Sequence, residues 1–380
     1  MQGYSEYELG DLLEYEQPTA YIVESTDYSD SYSVPVLTAG KSFILGYTNE
    51  MDGVFDKTPV IIFDDFTTAA QYVNFPFKVK SSAMKILHIN KDLVLPKYIY
   101  YRIQIIQFDH NTHKRYWIQQ YSKIRVSIPP IPEQERIVAR IEELFSQLDA
   151  GVETLKKTKA QLAVYRQAVL KEAFEGDYPR KQLKEFSKAI SGFAFKSSRY
   201  SPDGNYVVVK IGNVKERHFD FSRDLTKTLE ADDSILEKYL LRRGDCLITL
   251  TGSRGKRDYG FVAMVGNQNN YLLNQRVAAL RFDQSVALPE FFQYYLASPS
   301  YRDMFFGYET GNVGQGNVGI KALLDPYVIL PDIDTQKRII EDVEDRLSVC
   351  DSIEQTVDTA LQQAEAMRQS ILKDAFEGRL

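Results

Sequence analysis

IPPIPEQERIVARIEELFSQLDAGVETLKKTKAQLAVYRQAVLKEAFEG, residues 128–176, occurs twice in this chain, and the rest is organised around the repeat. Sliding the sequence by 202 positions sets PPIPEQERIVARIEELFSQLD (129–149) on PDIDTQKRIIEDVEDRLSVCD (331–351) without a gap. The same register sets RQAVLKEAFEG (166–176) on RQSILKDAFEG (368–378), and 18 of the 49 positions are identical. Solenoid units recur every ~20–50 residues, so this longer period means two copies of one larger unit, each closing on the same segment.

The pattern inside the segment is helical. Ile137, Ile141, Leu144, Leu148, Val152, Leu155, Leu162 and Val169 step by threes, fours and sevens, as one stripe of an amphipathic helix does. In the second copy Ile339, Val343, Cys350, Ile353, Val357, Leu361, Ala364, Met367 and Ile371 fall on the same stripe. Pro132, followed by Glu133 and Glu135, suits a first turn, and Gly176 suits a stop. Asp332 or Asp334 can cap the second helix and Gly378 can end it. Roughly 40 helical residues make a rod of about 60 Å. A helix so long, with so narrow a stripe, is expected to pair with another, and its own copy is the nearest partner. An ordinary core helix or a homodimerising coil is the alternative.

At 380 residues, 44 % hydrophobic and 26 % charged, the chain reads as a globular protein of two or more domains. It shows neither a basic-plus-apolar leader nor an apolar run of membrane-spanning length, so no membrane association and a cytoplasmic location are expected. Cys246 and Cys350 stand in dissimilar contexts and imply neither a disulfide nor a metal site. The net charge of −6 hides a polarisation: −8 over residues 1–50, +5 over 51–130, −1 over 131–176, +4 over 177–330 and −6 over 331–380. The basic excess lies in the two non-helical regions, which suits phosphate-facing patches and equally suits solvated surface.

Those regions read as β-rich. In the first, VPVLT (34–38), TPVIIF (58–63), YVNFPFKV (72–79) and MKILHI (84–89) predict strands, LPKYIYYRIQII (95–106) a helix, and KIRVSIPPIP a strand running into the long helix. In the second, YVVVKI, DCLITL, FVAMVG and RVAALRF predict strands, LPEFFQYYL (288–296) answers LPKYIYY, and IKALLDPYVILP answers IQQYSKIRVSIP. The expected architecture is α+β: globular regions 1–130 and 177–330, joined by two long paired helices within 131–176 and 331–380, with an internal pseudo-two-fold duplication. The helices agree between copies and the globular parts diverge, so the helices share one task and the globular parts have two.

No active site stands out. His88, His110, His113 and His218 occupy no metal-site spacing, and His110-x-x-His113 lacks a third ligand. Asp64-Asp65 loosely resembles a metal-dependent nuclease site, and Gly311-Asn312-Val313-Gly314-Gln315-Gly316 a phosphate loop without its Lys-Ser/Thr. Asp325-Pro326-Tyr327 is one proline short of an amino-methyltransferase motif. The polar loops suit DNA better. TGSRGKRDYG (251–260) offers Ser253, Arg254, Lys256 and Arg257; LLNQR (272–276) offers Asn274, Gln275 and Arg276. In the first region Thr67, Thr68, Gln71, Lys78, Lys80, Ser81 and Ser82 are the corresponding candidates. Arginine and lysine contact phosphates and guanine edges, and amides pair with adenine.

At this point the chain resembles the specificity subunits (HsdS) of type I restriction–modification systems. The resemblance rests on IPPIPEQERIVARIEELFSQLD with YRQAVLKEAFEG and LPDIDTQKRIIEDVEDRLSVCD with MRQSILKDAFEG. FDDFTTAAQYVNFPFKVKSSAMKIL (63–87) resembles a variant of the family's first recognition domain, and ISGFAFKSSRY (190–200), IGNV, RRGDCLITLTG and LLNQRVAAL one of its second. Lys41, Lys196 and Asn213 complete the candidate DNA-contact set. The family implies a non-catalytic subunit whose two target recognition domains each read half of a bipartite, asymmetric double-stranded DNA sequence. In the family the two long helices pair antiparallel as a coiled coil and hold the domains apart, so their length would set the gap between half-sites, at most roughly 17 base pairs for a rod of that length. It implies recruitment of two methylation (HsdM) subunits and of restriction (HsdR) subunits. S-adenosylmethionine and ATP would sit on those partners and no cofactor on this chain. A non-catalytic coiled-coil scaffold for protein interactions is the alternative.

Overall fold

The computed structural model describes residues 3–40, 42–108, 115–228, 231–311 and 314–380. The chain forms two compact units, one of Met1–Leu155 with Asp358–Leu380, the other of Lys156–Val357, so each long helix contributes a part to both.

In chain order the first unit has β1 (Ser5–Glu8), α1 (Leu9–Leu12), β2 (Leu13–Glu16), β3 (Val34–Leu37), β4 (Ile44–Thr48), β5 (Val60–Asp64) and β6 (Ala70–Val73). Then come β7 (Lys78–Val79), β8 (Met84–Ile89), α2 (Pro96–Ile103), β9 (Arg125–Ile128) and the long α3 (Ile131–Ala173). An antiparallel sheet of order β2-β8-β5-β6 packs with a second of order β4-β3-β7, and β1 pairs with β9. The apolar run of β5, Val60-Ile61-Ile62-Phe63, is wholly buried because both faces of this central strand are covered.

The second unit runs β10 (Arg180–Gln182), β11 (Ser187–Ser191), β12 (Tyr206–Val209), β13 (Lys227–Thr228), α4 (Asp233–Tyr239), β14 (Cys246–Thr249), β15 (Thr251–Ser253) and β16 (Val262–Met264). It continues with β17 (Tyr271–Leu273), β18 (Val277–Phe282), α5 (Pro289–Ala297), α6 (Pro299–Gly307), β19 (Gln315–Asn317), α7 (Ile320–Leu324), β20 (Tyr327–Ile329) and α8 (Ile333–Phe376). Its sheets, β11-β18-β14-β16 and β13-β12-β17, repeat the order of the first unit strand for strand, and β10–β20 answers β1–β9. Asp325-Pro326-Tyr327 leads into β20 as part of that pairing and is structural.

The helices are 43 and 44 residues long. Within the first unit Ile137, Ile141 and Phe145 from the start of α3 share a core with Leu372 and Ala375 from the end of α8. Within the second, Val169, Leu170 and Phe174 from the end of α3 share one with Val343 and Leu347 from the start of α8. The helices therefore run antiparallel in each. Ile137, Ile141, Leu162, Val169, Val343, Cys350 and Val357 are buried, while Leu144, Leu148, Leu155, Ile339, Ala364 and Ile371 are half-buried. Ile353 and Met367, assigned to the stripe by spacing, are 40 % and 54 % exposed. At its ends each helix packs on its globular fold as well as on the other helix, so the buried face widens and takes in Phe145, Leu170, Leu347 and Leu372.

One device repeats in both units. Gln134 is fully buried; its Oε1 accepts from Leu95 N (2.7 Å), and its Nε2 donates to Leu93 O (3.1 Å) and Pro129 O (2.9 Å). Gln336 does the same with Leu288 N, Val286 O and Pro331 O, all at 2.8 Å. Each amide thus ties the first turn of a long helix to the start of the short helix α2 or α5. At the start of α8 the cap is Asp332, whose Oδ1 accepts from Thr335 N at 2.8 Å.

Candidate nucleic-acid interface

The second unit gathers its polar loops around an open cleft of about 600 Å³, lined by Ser191, Thr251, Gln275, Arg276, Gln315 and Asn317 among others. One wall is a two-stranded antiparallel ribbon, β15 with β19, in register Thr251–Asn317, Gly252–Gly316 and Ser253–Gln315. The other is the turn between β17 and β18, where Gln275 and Arg276 are exposed and Arg276 holds a φ of +68°. The turn is fastened by Gln275 N donating to Phe193 O and by Leu250 N donating to Arg276 O, both 2.9 Å.

The loop from 251 to 260 is built from within. Glu309 accepts from the Tyr259 hydroxyl and from Arg254 Nε (3.1 Å), and Arg254 also donates to Gly311 O (3.4 Å). The Tyr259 hydrogen bond, with Arg254 beside it, holds the Glu309 carboxyl below the usual carboxylate range, while burial and the same bond push the Tyr259 phenol up. Gly316 makes room for this pair, since a Cβ there would stand 2.3 Å from both Glu309 Oε1 and Tyr259 Oη. Arg302 donates to Gly260 O (2.8 Å), Tyr259 O (3.1 Å) and Arg257 O (3.3 Å). Phe306 carries the Arg257 and Arg302 guanidinium groups at 4.9 and 5.1 Å from its centroid. Of the loop's three basic groups, Arg254 and Arg257 are thus engaged and Lys256 stands exposed.

In the first unit Thr67 and Thr68 sit on the β5–β6 turn and Ser81 and Ser82 on the β7–β8 loop, and Asp65 N donating to Ala83 O (3.1 Å) ties the two loops together. Thr68 has a φ of +57°. Thr67, Lys80 and Ser82 are exposed, Gln71 and Ser81 half-buried. Asp64 and Asp65 are both engaged by the fold. Asp64 Oδ1 accepts from Phe66 N (2.8 Å) and Thr67 N (3.0 Å). Asp65 is buried, pairs with buried Lys85 at 3.4 Å and accepts from Trp117 N at 2.7 Å. That geometry serves a turn and a core, not a metal-bound hydrolytic centre.

Three expected DNA contacts are corrected by burial. Lys78, 4 % exposed, donates to Asp52 O (2.6 Å) and pairs with Glu50 (3.0 Å). Asn213, 1 % exposed, accepts from Lys210 N and donates to Asp220 O and Asp224 O. Asn274, 8 % exposed, lies where Gly192 crosses so closely that a Cβ on that glycine would meet Asn274 O at 1.8 Å. Side chains so buried cannot reach a duplex. Lys196 and Ser253 remain at the surface, exposed and half-buried. Lys41, His110, His113, Asn312 and Val313 lie outside the described residues. The sequence reading passed over Gln315 and Asn317. Gln315 lies within the glycine-spaced stretch 311–316, part of which the fold uses for the ribbon, and Asn317 lies just beyond it.

The chain is similar to several known proteins. It is 44 % identical over 196 residues to the Escherichia coli EcoR124I/EcoR124II type I restriction enzyme specificity subunit, an overlap covering 48 % of each chain. It is 28 % identical over 279 residues to the EcoKI specificity subunit of E. coli K12, covering 68 % of this chain and 58 % of that one. The chain thus matches about half the length of these curated relatives. Among solved structures, a chain from work on the assembly and conformational transition of a type I R-M system superposes with a TM-score of 0.72 at 18 % identity, covering 100 % of this chain and 99 % of that one. The HsdS subunit of Thermoanaerobacter tengcongensis gives 0.51 at 17 %, covering 100 % and 98 %. At such identities the superpositions speak for the fold alone. The family model "Type I restriction modification DNA specificity domain" matches residues 1–163 and 175–363, and the chain belongs to that family.

Proposed function

We propose that the chain is the sequence-reading, non-catalytic subunit of a type I restriction–modification complex, each β-rich domain recognising one half of a bipartite, asymmetric double-stranded DNA target. One observation carries this reading. The two units share strand order, helix pairing and the Gln134/Gln336 anchor, yet their polar loops differ, and the β15–β19 ribbon has no counterpart among the described residues of the first unit. A common frame bearing two unlike polar surfaces is what reading two unlike half-sites requires.

In this reading two methylation subunits dock on the chain and restriction subunits join through them. S-adenosylmethionine and ATP belong to those partners, and the complex works in the bacterial or archaeal cytoplasm. The recognition domains occupy 1–130 and 177–330, with the helices of 131–176 and 331–380 as the shared spacer. Long-read methylation mapping of the host with and without the gene tests it: a split N6-methyladenine motif should disappear on deletion. Loss of no such motif would favour the coiled-coil scaffold. Replacing Arg254, Lys256 and Arg257 together by alanine should weaken one half-site only, with a shallower salt dependence. Equal loss at both halves would contradict two independent readers.

A further inference from the structure

The cleft of the second unit separates its polar groups into two sets. Arg254 and Arg257 are exposed but engaged, Arg254 by the Glu309 carboxylate and Arg257 over the Phe306 ring. Gln275, Arg276, Gln315 and Asn317 are exposed. On β19 the side chains alternate, as a strand requires: Gly316 faces inward onto the Tyr259–Glu309 pair, which puts Gln315 and Asn317 together on the outward face. Across the cleft, Arg276 keeps a left-handed φ of +68° that glycine would adopt more easily, and its side chain is exposed. Backbone strain of this kind persists where a side chain has a task outside the fold. A two-stranded ribbon fits the major groove, about 12 Å wide, where glutamine and asparagine pair bidentately with adenine and arginine with guanine.

We propose that this cleft is the base-reading surface of the second unit: Gln315, Asn317 and Gln275 take adenine edges and Arg276 a guanine edge, while the arginines of the 251–260 loop hold the ribbon in place. The assignment rests on the DNA-specificity reading above and adds which side chains discriminate bases and which bases they take.

The test uses the full chain with its cognate methylation subunits and maps methylated motifs in cells carrying Gln315→Ala, Asn317→Ala or Arg276→Gly. Each substitution should relax discrimination at one position of one half-site by about 10- to 100-fold, the range expected for a bidentate contact, with the other half-site unchanged. Arg276→Gly should keep or raise the Tm, because glycine suits that backbone; a lower Tm would mean the side chain serves the fold and would overturn its role. An unchanged motif in all three variants, a uniform fall in methylation without relaxation, or changes in both halves would refute the assignment. A wild-type complex that methylates no split motif would instead sink the parent reading, and this one with it.

Discussion

Gln134→Leu isolates the energetic role of the repeated anchor. Leucine is close to glutamine in volume, so the substitution removes hydrogen bonds while leaving little cavity. It strands the N–H of half-buried Leu95, the carbonyl of half-buried Leu93 and the carbonyl of buried Pro129. A buried polar group left unpaired costs about 1–3 kcal/mol, and an N–H tolerates this less well than a carbonyl. We therefore expect about 3 kcal/mol at the junction of α2 and α3, which is roughly a 150-fold easier local opening. A chain of two units has no single unfolding free energy, so the assay is amide hydrogen exchange at Leu95 and, as the internal control, at Leu288, which is held by Gln336. Protection should fall about 100-fold at Leu95 and stay unchanged at Leu288, with Gln336→Leu giving the mirror result. A fall below roughly tenfold at Leu95 would refute the view that these amides fasten the helices. Equal falls at both sites would show that the units do not open separately.

Two further outcomes follow from charges inside the units. Breaking the buried Lys85–Asp65 pair with Lys85→Met leaves a carboxylate unpaired, so the first unit should lose about 3–5 kcal/mol in denaturant unfolding; adding Asp65→Leu should recover part of it, and a single-mutant loss under ~1 kcal/mol would refute the pairing. Because the Glu309 carboxyl is held below its ordinary range, its contribution is complete above that range and disappears as pH falls through the depressed value. The amide shift of Gly316, which faces Glu309, should therefore titrate with a midpoint below the usual value of about 4.3, and this titration should be lost in Glu309→Gln; a midpoint at or above it would refute the Tyr259–Arg254 clamp.

Much of this frame was legible in sequence because period and register are local signals. The 202-residue shift exposed the duplication, the threes and fours exposed both helices, and the apolar runs gave β5, β8, β14 and β18. What escaped was whatever depends on a second layer. Phe145 and Leu347 lie beside the spaced stripe and are buried by their own globular folds. Lys78 and Asn213 carry DNA-like chemistry, yet partners 26 residues away at Asp52 and 7 to 11 away at Asp220 and Asp224 claim them. Gln315 reads as part of a glycine loop, and Asn317 just beyond it gives no signal, because pairing with β15 across some 60 residues leaves no local pattern.

The two copies also explain why one part of each unit stayed alike and another drifted. Among the shared positions are several where substitution strands buried or ion-paired groups. Gln134 and Gln336 each close three backbone hydrogen bonds. Arg166 pairs with Asp351 at 2.5 Å, and its repeat Arg368 with Asp149, the repeat of Asp351. Changing one member of such a set costs stability at once, so neither copy can move alone. Exposed cleft residues stand under no such restraint, since surface substitutions away from caps and networks usually fall within about 0.5 kcal/mol of neutral. Gln275, Gln315 and Asn317 can therefore be exchanged for other polar groups, and a ribbon such as β15–β19 can be added to one copy, while the frame beneath keeps its strand order. Stability confines change to the surfaces that face outward, and on a duplicated frame that is sufficient to give one architecture two unlike polar surfaces.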